Sequence, residues 1–391
     1  MMRRALATFV VVLLLWLFPR DAAAYPQFQF SSGTERCFDC HFAPAGGGLI
    51  NDWGRGEAGN TLSTWGGNGG FLHGLWTPPD WFAIGGDFRD AFLRSDVGDK
   101  ISPQVVAFPM MAEVYLRGEI PNTGLSAYVA AGYRGTVRTP GSNHTGTFEG
   151  FISREHYLMW KKGSAEGTPY VRVGRFYAPY GLRVVEHIDY IRRYNRYNLY
   201  EETYNVSGGY IAKDWEAHVT ALTSPPYSFP HSLGASGTHG SGAAVYGEKR
   251  FLSMAALGLQ ARVTANDEQT LWQWGGTGKL WIEKAKLLFM GELDFGHRAL
   301  KTGPGSPTQL VSYLDATVIP VTGLMIGAAY ERYQEDLHIS STVRNALDLQ
   351  INFLPYAHCE AIALARYQFI GSGSSDGDPA TLLMLQLHYY F

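Results

Sequence analysis

The sequence has little charge and few cysteines, and past its first residues it has no long apolar run. Only 17% of the 391 residues are charged and the net charge is −3, so no basic surface predicts binding to nucleic acid. Beyond residue 18, no apolar run approaches the ~20 residues of a membrane-spanning helix. The three cysteines are Cys37, Cys40 and Cys359, which leaves no second cysteine pair for a zinc site. No arrangement of serine, histidine and carboxylate stands out as a hydrolytic signature.

The first residues have the pattern of a secretory signal peptide. The positive pair Arg3-Arg4 precedes an apolar stretch at 6–18, and alanines before Tyr25 offer a small-residue cleavage site. This pattern predicts a signal peptide over residues 1–24 that is removed on export. The alternative is an uncleaved membrane anchor, but the stretch is short for a spanning helix.

The stretch from Cys37 to His41 reads Cys-x-x-Cys-His, the pattern through which c-type haem is attached. Two thiols at this spacing can bond to the two vinyl groups on one edge of the macrocycle, and the next histidine can ligate iron. We therefore predict one covalent haem c on Cys37 and Cys40, with His41 as the proximal iron ligand. Half of a zinc site would need more ligands, and a redox dithiol usually accompanies a βαβ pattern that this sequence lacks.

Residues 25–80 form a glycine-rich segment around this haem motif. This segment has too little apolar surface to fold around a core of its own. Its interleaved aromatic residues can instead pack on a haem, and its glycines let the backbone come close to that haem. His73 is the other histidine of this segment, which contains no methionine, so we predict His73 as the candidate distal iron ligand. Alternatives are an open iron site or a ligand from the rest of the chain: His187, His218, His388, Met110 or Met111.

From residue 81 to residue 391 the sequence alternates with the period of two that is typical of β-strands. Leu257 and Leu259, for example, fall on one face and Gln260 on the other. Aromatic residues near the ends of these runs match the girdles of outer-membrane barrels. Short turns alternate with long links, except for the short turn 266–268. We predict an all-β fold, a transmembrane antiparallel β-barrel of about sixteen strands at 81–391, with both termini in the periplasm. The segment 25–80 would lie at its periplasmic mouth or plug its lumen.

The last strand, residues 381–391, places alternate apolar residues on one face and ends on the aromatic Phe391. This end resembles the C-terminal signature of bacterial outer-membrane porins, and residues 25–80 resemble c-type cytochromes. Together the chain resembles a cytochrome–porin fusion of a Gram-negative bacterium. The resemblance implies an outer-membrane location, contact with membrane lipid and the homotrimer that porins often form.

The longest predicted loop, 178–203, is rich in arginine. With the strand before it, it resembles the infolded-loop region of anion-type porins. Rings of arginine favour anions in pores, so the resemblance implies a constriction that passes small anions. The alternative is a solvated outer loop whose arginines meet lipid phosphates. The candidate constriction residues are Arg175, Arg183, Arg192, Arg193 and Arg196.

These features predict electron transfer at or across the outer membrane, by a redox carrier rather than an enzyme. One haem is much smaller than the ~25 Å apolar band of such a barrel, so periplasmic or extracellular partner cytochromes would be required. The alternative function is an anion- or small-solute-conducting porin in which residues 25–80 are a plug, a sensor or a structural element. A third interpretation, haem-based enzymatic chemistry, requires that His73 leave the iron open.

Overall fold

The structure is a computed structural model, and the residues it describes begin at Pro26. The predicted signal peptide and the alternative ligand His187 lie outside the described residues. None of the helices in the described part is long and apolar enough to cross a membrane. The described ranges are 26–97, 104–134, 151–163, 167–186, 188–198, 201–223, 240–302, 305–370 and 380–391.

Sixteen strands form one closed antiparallel barrel, in which each strand pairs with its sequence neighbours and β1 pairs with β16. The prediction of an all-β barrel of about sixteen strands is therefore confirmed. Closure matters because it removes the unpaired sheet edges that a membrane could not satisfy. The strands are β1 Phe82–Val97, β2 Gln104–Ile120, β3 Leu125–Arg134, β4 Phe151–Lys161, β5 Gly167–Phe176, β6 Thr203–Ala212, β7 Trp215–Thr223, β8 Ser241–Phe251, β9 Ala255–Ala265, β10 Gln269–Ile282, β11 Leu287–Leu300, β12 Thr308–Val321, β13 Leu324–Gln334, β14 Val343–Phe353, β15 Cys359–Ile370 and β16 Ala380–Tyr390.

The two faces of the strands carry opposite chemistry. In β9 the outward Leu257 and Leu259 are 62% and 76% exposed, whereas Gln260 and Arg262 point inward and are buried. A soluble protein would bury the leucines, since apolar surface removed from water stabilises by about 25 cal/mol per Å². An apolar outside and a polar inside are what a lipid-embedded barrel requires.

The connections sort onto two rims. One rim, here the short-turn rim, carries turns such as 213–214, 283–286 and 322–323 together with the end of β16. The opposite rim, the long-loop rim, carries the link 177–202 and also the predicted exception, the short turn 266–268. Short periplasmic turns and long outer loops are the pattern of bacterial barrels, so the short-turn rim is the periplasmic one.

The N-terminal segment lies in the barrel lumen at the short-turn rim, and we call residues 26–80 the plug. The backbone N–H groups of Thr64 and Trp65 donate to the carbonyl oxygens of Leu354 and Pro355, each at 2.9 Å. These two hydrogen bonds attach the plug to the turn between β14 and β15. Short helices lie in the plug at Pro26–Phe28, Cys37–Cys40, Asp52–Glu57, Ala58–Leu62 and Phe71–Gly74.

A second segment enters the lumen from the long-loop rim, and we call residues 177–202 the infolded loop. It contains one helical turn, Tyr190–Arg193, and its Tyr180 hydroxyl donates to Asp294 of β11 at 3.1 Å. One buried hydrophobic cluster joins the plug, the infolded loop and the inner wall, so the lumen is filled from both rims. The cluster includes Phe28, Phe30, Ala58 and Leu62 of the plug, Leu182, Val184, Tyr190 and Ile191 of the loop, and Leu288, Met290, Val311 and Ile319 of the wall.

Candidate functional site

The haem motif forms a single helical turn, Cys37–Cys40, that ends in an extended residue. The backbone N–H of Arg36 donates to Asp39 Oδ2 at 3.1 Å, and the guanidinium of Arg36 pairs with the same carboxylate at 2.6 Å. Residues three apart share one face of a helix, so Cys37 and Cys40 lie on the same side. His41 then leaves the helix and pairs with Ile50 in an isolated antiparallel bridge.

Asn51 fixes this turn to the rest of the plug. Its backbone N–H donates to the carbonyl oxygen of Cys40, and its side-chain Nδ2 donates to that of Asp39, both at 2.9 Å. Its Oδ1 accepts from the N–H of Gly54 at 2.9 Å and so caps the next helix. A single side chain therefore holds both the carboxyl end of the motif and the helix that follows.

Gly46 closes over the motif in a left-handed conformation, at φ +76°. A Cβ atom at this position would lie 3.1 Å from Cys37 Cβ and 3.7 Å from His41 Cδ2. Any side chain here would crowd the thiol and the imidazole that are predicted to hold haem. The neighbouring Gly47 and Gly48 also have positive φ, and together the three glycines keep one wall of the site free of side chains.

Cys37, Cys40 and His41 line one cavity, which we call the motif cavity; its empty space, including the part open to solvent, is about 1090 Å³. Plug, infolded loop and barrel wall all contribute to its lining. Apolar surface comes from Phe28, Ile50, Val185, Tyr390 and Phe391, and charged or polar groups come from Arg36, Asp87, Arg89, Arg183 and His388.

This lining fits a covalently attached haem. Two thiols and an imidazole meet in one space, apolar side chains can contact the flat faces of a macrocycle, and arginines can pair with its propionate carboxylates. Arg183 is suited to that role, because its guanidinium reaches this cavity and donates to the carbonyl oxygen of Ala45 at 2.5 Å. Burial lowers the pKa of Arg183, as expected of a cation held away from water that a nearby carboxylate would stabilise.

The geometry argues against the two other chemistries of a Cys-x-x-Cys pair. Burial raises the pKa of the Cys37 thiol to about 11 and that of Cys40 to about 12, whereas redox dithiols have lowered thiol pKa values. Among the described residues, the grouping able to hold a metal ion consists of three carboxylates on the infolded loop and wall, without a cysteine. A zinc site at the motif would lack its second pair of ligands.

The structure does not bring His73 to the motif cavity. Its side chain is exposed at the short-turn rim, with its ring centroid 5.5 Å from that of His358 and 5.9 Å from that of Tyr389. The reason is the path of the plug: Phe71 packs edge-on against Phe391 at 5.2 Å, and the chain then turns outward. The prediction of His73 as distal ligand therefore finds no support in this arrangement.

Of the alternative ligands in the described part of the chain, one lines the motif cavity. His388, on β16, belongs to its lining. Met110 and Met111 line a different cavity. His218 is buried against Tyr170, to whose hydroxyl its Nδ1 lies at 2.8 Å.

The five arginines predicted to form a constriction do not form one ring. Arg175 is fully buried and donates to the backbone carbonyl oxygens of Ser153 and Glu202 at 2.8 and 3.1 Å. Arg193 is exposed, and burial lowers the pKa of Arg196 beside other arginines. Only Arg183 and Arg192 line a common space, a second cavity of about 1120 Å³. Sequence spacing could not separate these roles, because backbone carbonyls in the lumen compete for the guanidinium groups.

The second cavity adjoins the motif cavity. Both are lined by Gly46–Gly48, Asp87, Arg89, Tyr115, Arg183 and Val185. Arg154, which sequence reasoning missed, also lines it and pairs with Glu113 at 2.8 Å. Its inward position on β4, next to a carboxylate on a nearby strand, is the signal that would have found it. The second cavity therefore has four arginines in its lining: Arg89, Arg154, Arg183 and Arg192.

Arg366 locks the infolded loop to the wall. Its guanidinium bonds to Asp189 of the loop at 3.0 Å, to Asp348 at 2.7 Å and also to Glu331. Burial raises the pKa of Asp189 to about 8. These three carboxylates are the metal-type grouping noted above, and a guanidinium already occupies it. The cluster is structural, because it ties the loop to β13, β14 and β15.

Comparison with known proteins supports the fold. No protein-family model and no curated protein sequence matches the chain. Solved structures of outer-membrane proteins do match: OmpT of Vibrio cholerae has a TM-score of 0.57 at 12% identity, covering 81% of this chain and 99% of that one. An anion-selective porin from Comamonas acidovorans has a TM-score of 0.55 at 12% identity, covering 79% and 99%. OmpF of Salmonella typhi has a TM-score of 0.56 at 10% identity, covering 79% and 97%.

At these identities the likeness establishes the fold, which is that of the porins. With the apolar outer face of the strands, it confirms the predicted outer-membrane location. The matches cover about four-fifths of this chain and nearly all of each porin.

Proposed function

We propose that this chain is an outer-membrane electron carrier, in which the plug holds one covalent haem c inside the barrel lumen. The observation that carries the proposal is that Cys37, Cys40 and His41 line a single cavity to which plug, infolded loop and wall all contribute. When bound, the haem supplies one-electron redox chemistry. The protein acts here as a carrier rather than as an enzyme.

The chain's own residues then do three things. Cys37 and Cys40 tether the group and His41 ligates it, all from one turn that Asn51 holds in place. Cys40 belongs to the hydrophobic cluster that packs the plug and the infolded loop against the inner wall, so this cluster holds the motif turn in the lumen. Arg183 offers a cation at the junction of the two cavities.

Partners on both sides of the membrane follow from the dimensions. The apolar band is ~25 Å tall, and the motif cavity is lined by Gly86, Asp87 and Phe391, near the short-turn ends of β1 and β16. Electrons would have to enter from a periplasmic cytochrome or leave to one, and an acceptor or donor on the outer side would complete the route. We therefore propose partner cytochromes rather than a self-sufficient conduit.

Proteoliposomes test the proposal. Full-length protein is reconstituted in vesicles that contain a reducible dye and a small c-type cytochrome able to pass electrons to it, and a reduced donor cytochrome is added outside. We expect dye reduction with the wild type and none with the matched variant Cys37→Ser/Cys40→Ser, which keeps the barrel. Equal reduction by the two proteins, or an unchanged dye with haem-loaded wild type, would end the electron-carrier proposal.

A second candidate function is favoured by the four arginines of the second cavity: a porin for small anions in which the plug is a structural or gating element. One of the similar structures is an anion-selective porin, and another is a trimer form of OmpT, so we include a homotrimer in this proposal. Current across planar bilayers under a salt gradient measures the anion selectivity of such a porin. Anion-selective current that loses selectivity in Arg154→Gln supports the channel, and absence of any current removes it.

A further inference from the structure

We propose that His388 of strand β16 is the second axial ligand of the haem, so that the iron joins the plug to the barrel wall. The inference rests on the proposed function, because it concerns the same motif cavity. His73 is closer to the motif in sequence, but His388 lines the motif cavity and His73 does not. Among the residues that line the motif cavity, His388 is the histidine besides His41, and no methionine lines it.

The hydrogen-bond partners of His388 are those of a metal-binding imidazole. Its Nδ1 lies 2.9 Å from Glu360 Oε2 on the adjacent strand β15. Glu360 is itself fixed by the side-chain amide of Asn352, which donates to Oε1 at 2.8 Å. Metal-ligating histidines commonly donate one ring N–H to a carboxylate, which sets the tautomer, orients the ring and raises the basicity of the other nitrogen.

The other nitrogen, Nε2, is the one left for iron. It is buried and makes no hydrogen bond of good geometry among the described residues, although Asp87 Oδ1 lies 3.2 Å away. Asp87 does not depend on His388, because Arg89 binds both of its oxygens at 2.8 Å. Bonding of Nε2 to a metal therefore leaves no carboxylate without a partner.

The strand also places this histidine rigidly. In the sheet, His388 pairs with Arg89 of β1 and with Glu360 of β15, at the seam where the barrel closes. Its ring lies 5.1 Å from that of Tyr390, which belongs to the same cavity. A ligand on a closed sheet has little freedom to leave the iron, in contrast to one on the exposed turn at His73.

Spectroscopy of the full-length, haem-loaded protein tests the assignment. With two histidine ligands the ferric wild type is low-spin in optical and electron paramagnetic resonance spectra. We expect His388→Ala to become high-spin and added imidazole to restore the low-spin spectrum. His388→Met should stay low-spin with a raised reduction potential, because Met/His ligation raises it. The control His73→Ala should match the wild type.

A low-spin spectrum in His388→Ala, a high-spin wild type, or loss of the low-spin spectrum in His73→Ala would each overturn the assignment. If His388→Ala does not assemble into a barrel, the potential of His388→Met decides, and an unchanged potential counts against the ligand. A wild type that carries no covalent haem is a distinct result, because it removes the proposed function together with this inference.

Discussion

Acid should loosen the plug through one buried histidine at the short-turn rim. The side chain of His358 is 0% exposed, and its Nε2 lies 2.9 Å from the carbonyl oxygen of Gly69 in the plug. A carbonyl only accepts, so this nitrogen carries the proton and donates, which is possible for neutral imidazole. Burial, with a smaller contribution from nearby His73, lowers the pKa of His358 from 6.5 to about 4.

The sign and size follow from proton linkage. When the plug undocks and His358 meets water, it binds a proton below pH 6.5, whereas the docked form does not until about pH 4. The contribution of neutral His358 to the free energy of docking is therefore complete above pH 6.5. It decreases as the pH falls and is lost by about pH 4. At 1.36 kcal/mol per pH unit, the loss is about 3 kcal/mol, or on the order of 100-fold in the docking equilibrium.

Hydrogen–deuterium exchange of the amides of Thr64 and Trp65 measures this, because both bond to the turn next to His358. After correction for intrinsic exchange, we expect their protection to fall on the order of 100-fold between pH 7 and pH 4. His358→Asn is the matched control, since asparagine tolerates the φ of +67° at this position and cannot titrate. Equal pH dependence in wild type and His358→Asn would refute the reasoning.

Three further changes have distinct expected outcomes. Gly69→Ala places a Cβ against the carbonyl of Arg55 and should expose the plug to limited proteolysis, whereas Gly56→Ala, which meets nothing closer than 4.0 Å, should not; equal cleavage would contradict this. Leu259→Arg on the lipid face should cost about 2–4 kcal/mol in denaturant unfolding from lipid vesicles, and an unchanged midpoint would argue against membrane contact there. Arg366→Ala should destabilise the infolded loop by about 3–5 kcal/mol, because it removes the guanidinium that bonds a buried cluster of carboxyl groups. Unaltered hydrogen–deuterium exchange of the loop would show that the cluster does not hold it.

The barrel could be predicted because its signal is local. Leu257, Leu259 and Gln260 reveal their faces through a period of two, and lipid outside a polar lumen fixes which face is which. The sequence also predicted that 266–268 is a short turn on the rim of long loops, and the structure has this short turn. Neither observation needs contacts between distant residues.

The site was only partly predictable, since its chemistry is assembled by closure of the sheet. The motif Cys37–His41 could be identified from spacing alone, and its three predicted haem-binding side chains line one cavity. His388, however, enters that cavity only because β16 pairs with β1. His73 was predicted because it lies in the same segment as the motif, but its side chain is exposed at the short-turn rim. Whether the segment lay at the mouth or in the lumen also depended on its packing against the wall.

The central claim is that one haem is covalently bound to Cys37 and Cys40 in the plug. The direct measurement is the haem absorption of purified protein after unfolding and acid extraction in organic solvent. We predict one c-type haem per chain that stays with the polypeptide, and none in Cys37→Ser/Cys40→Ser. A wild type without haem, or a haem that extracts freely from it, would contradict the claim.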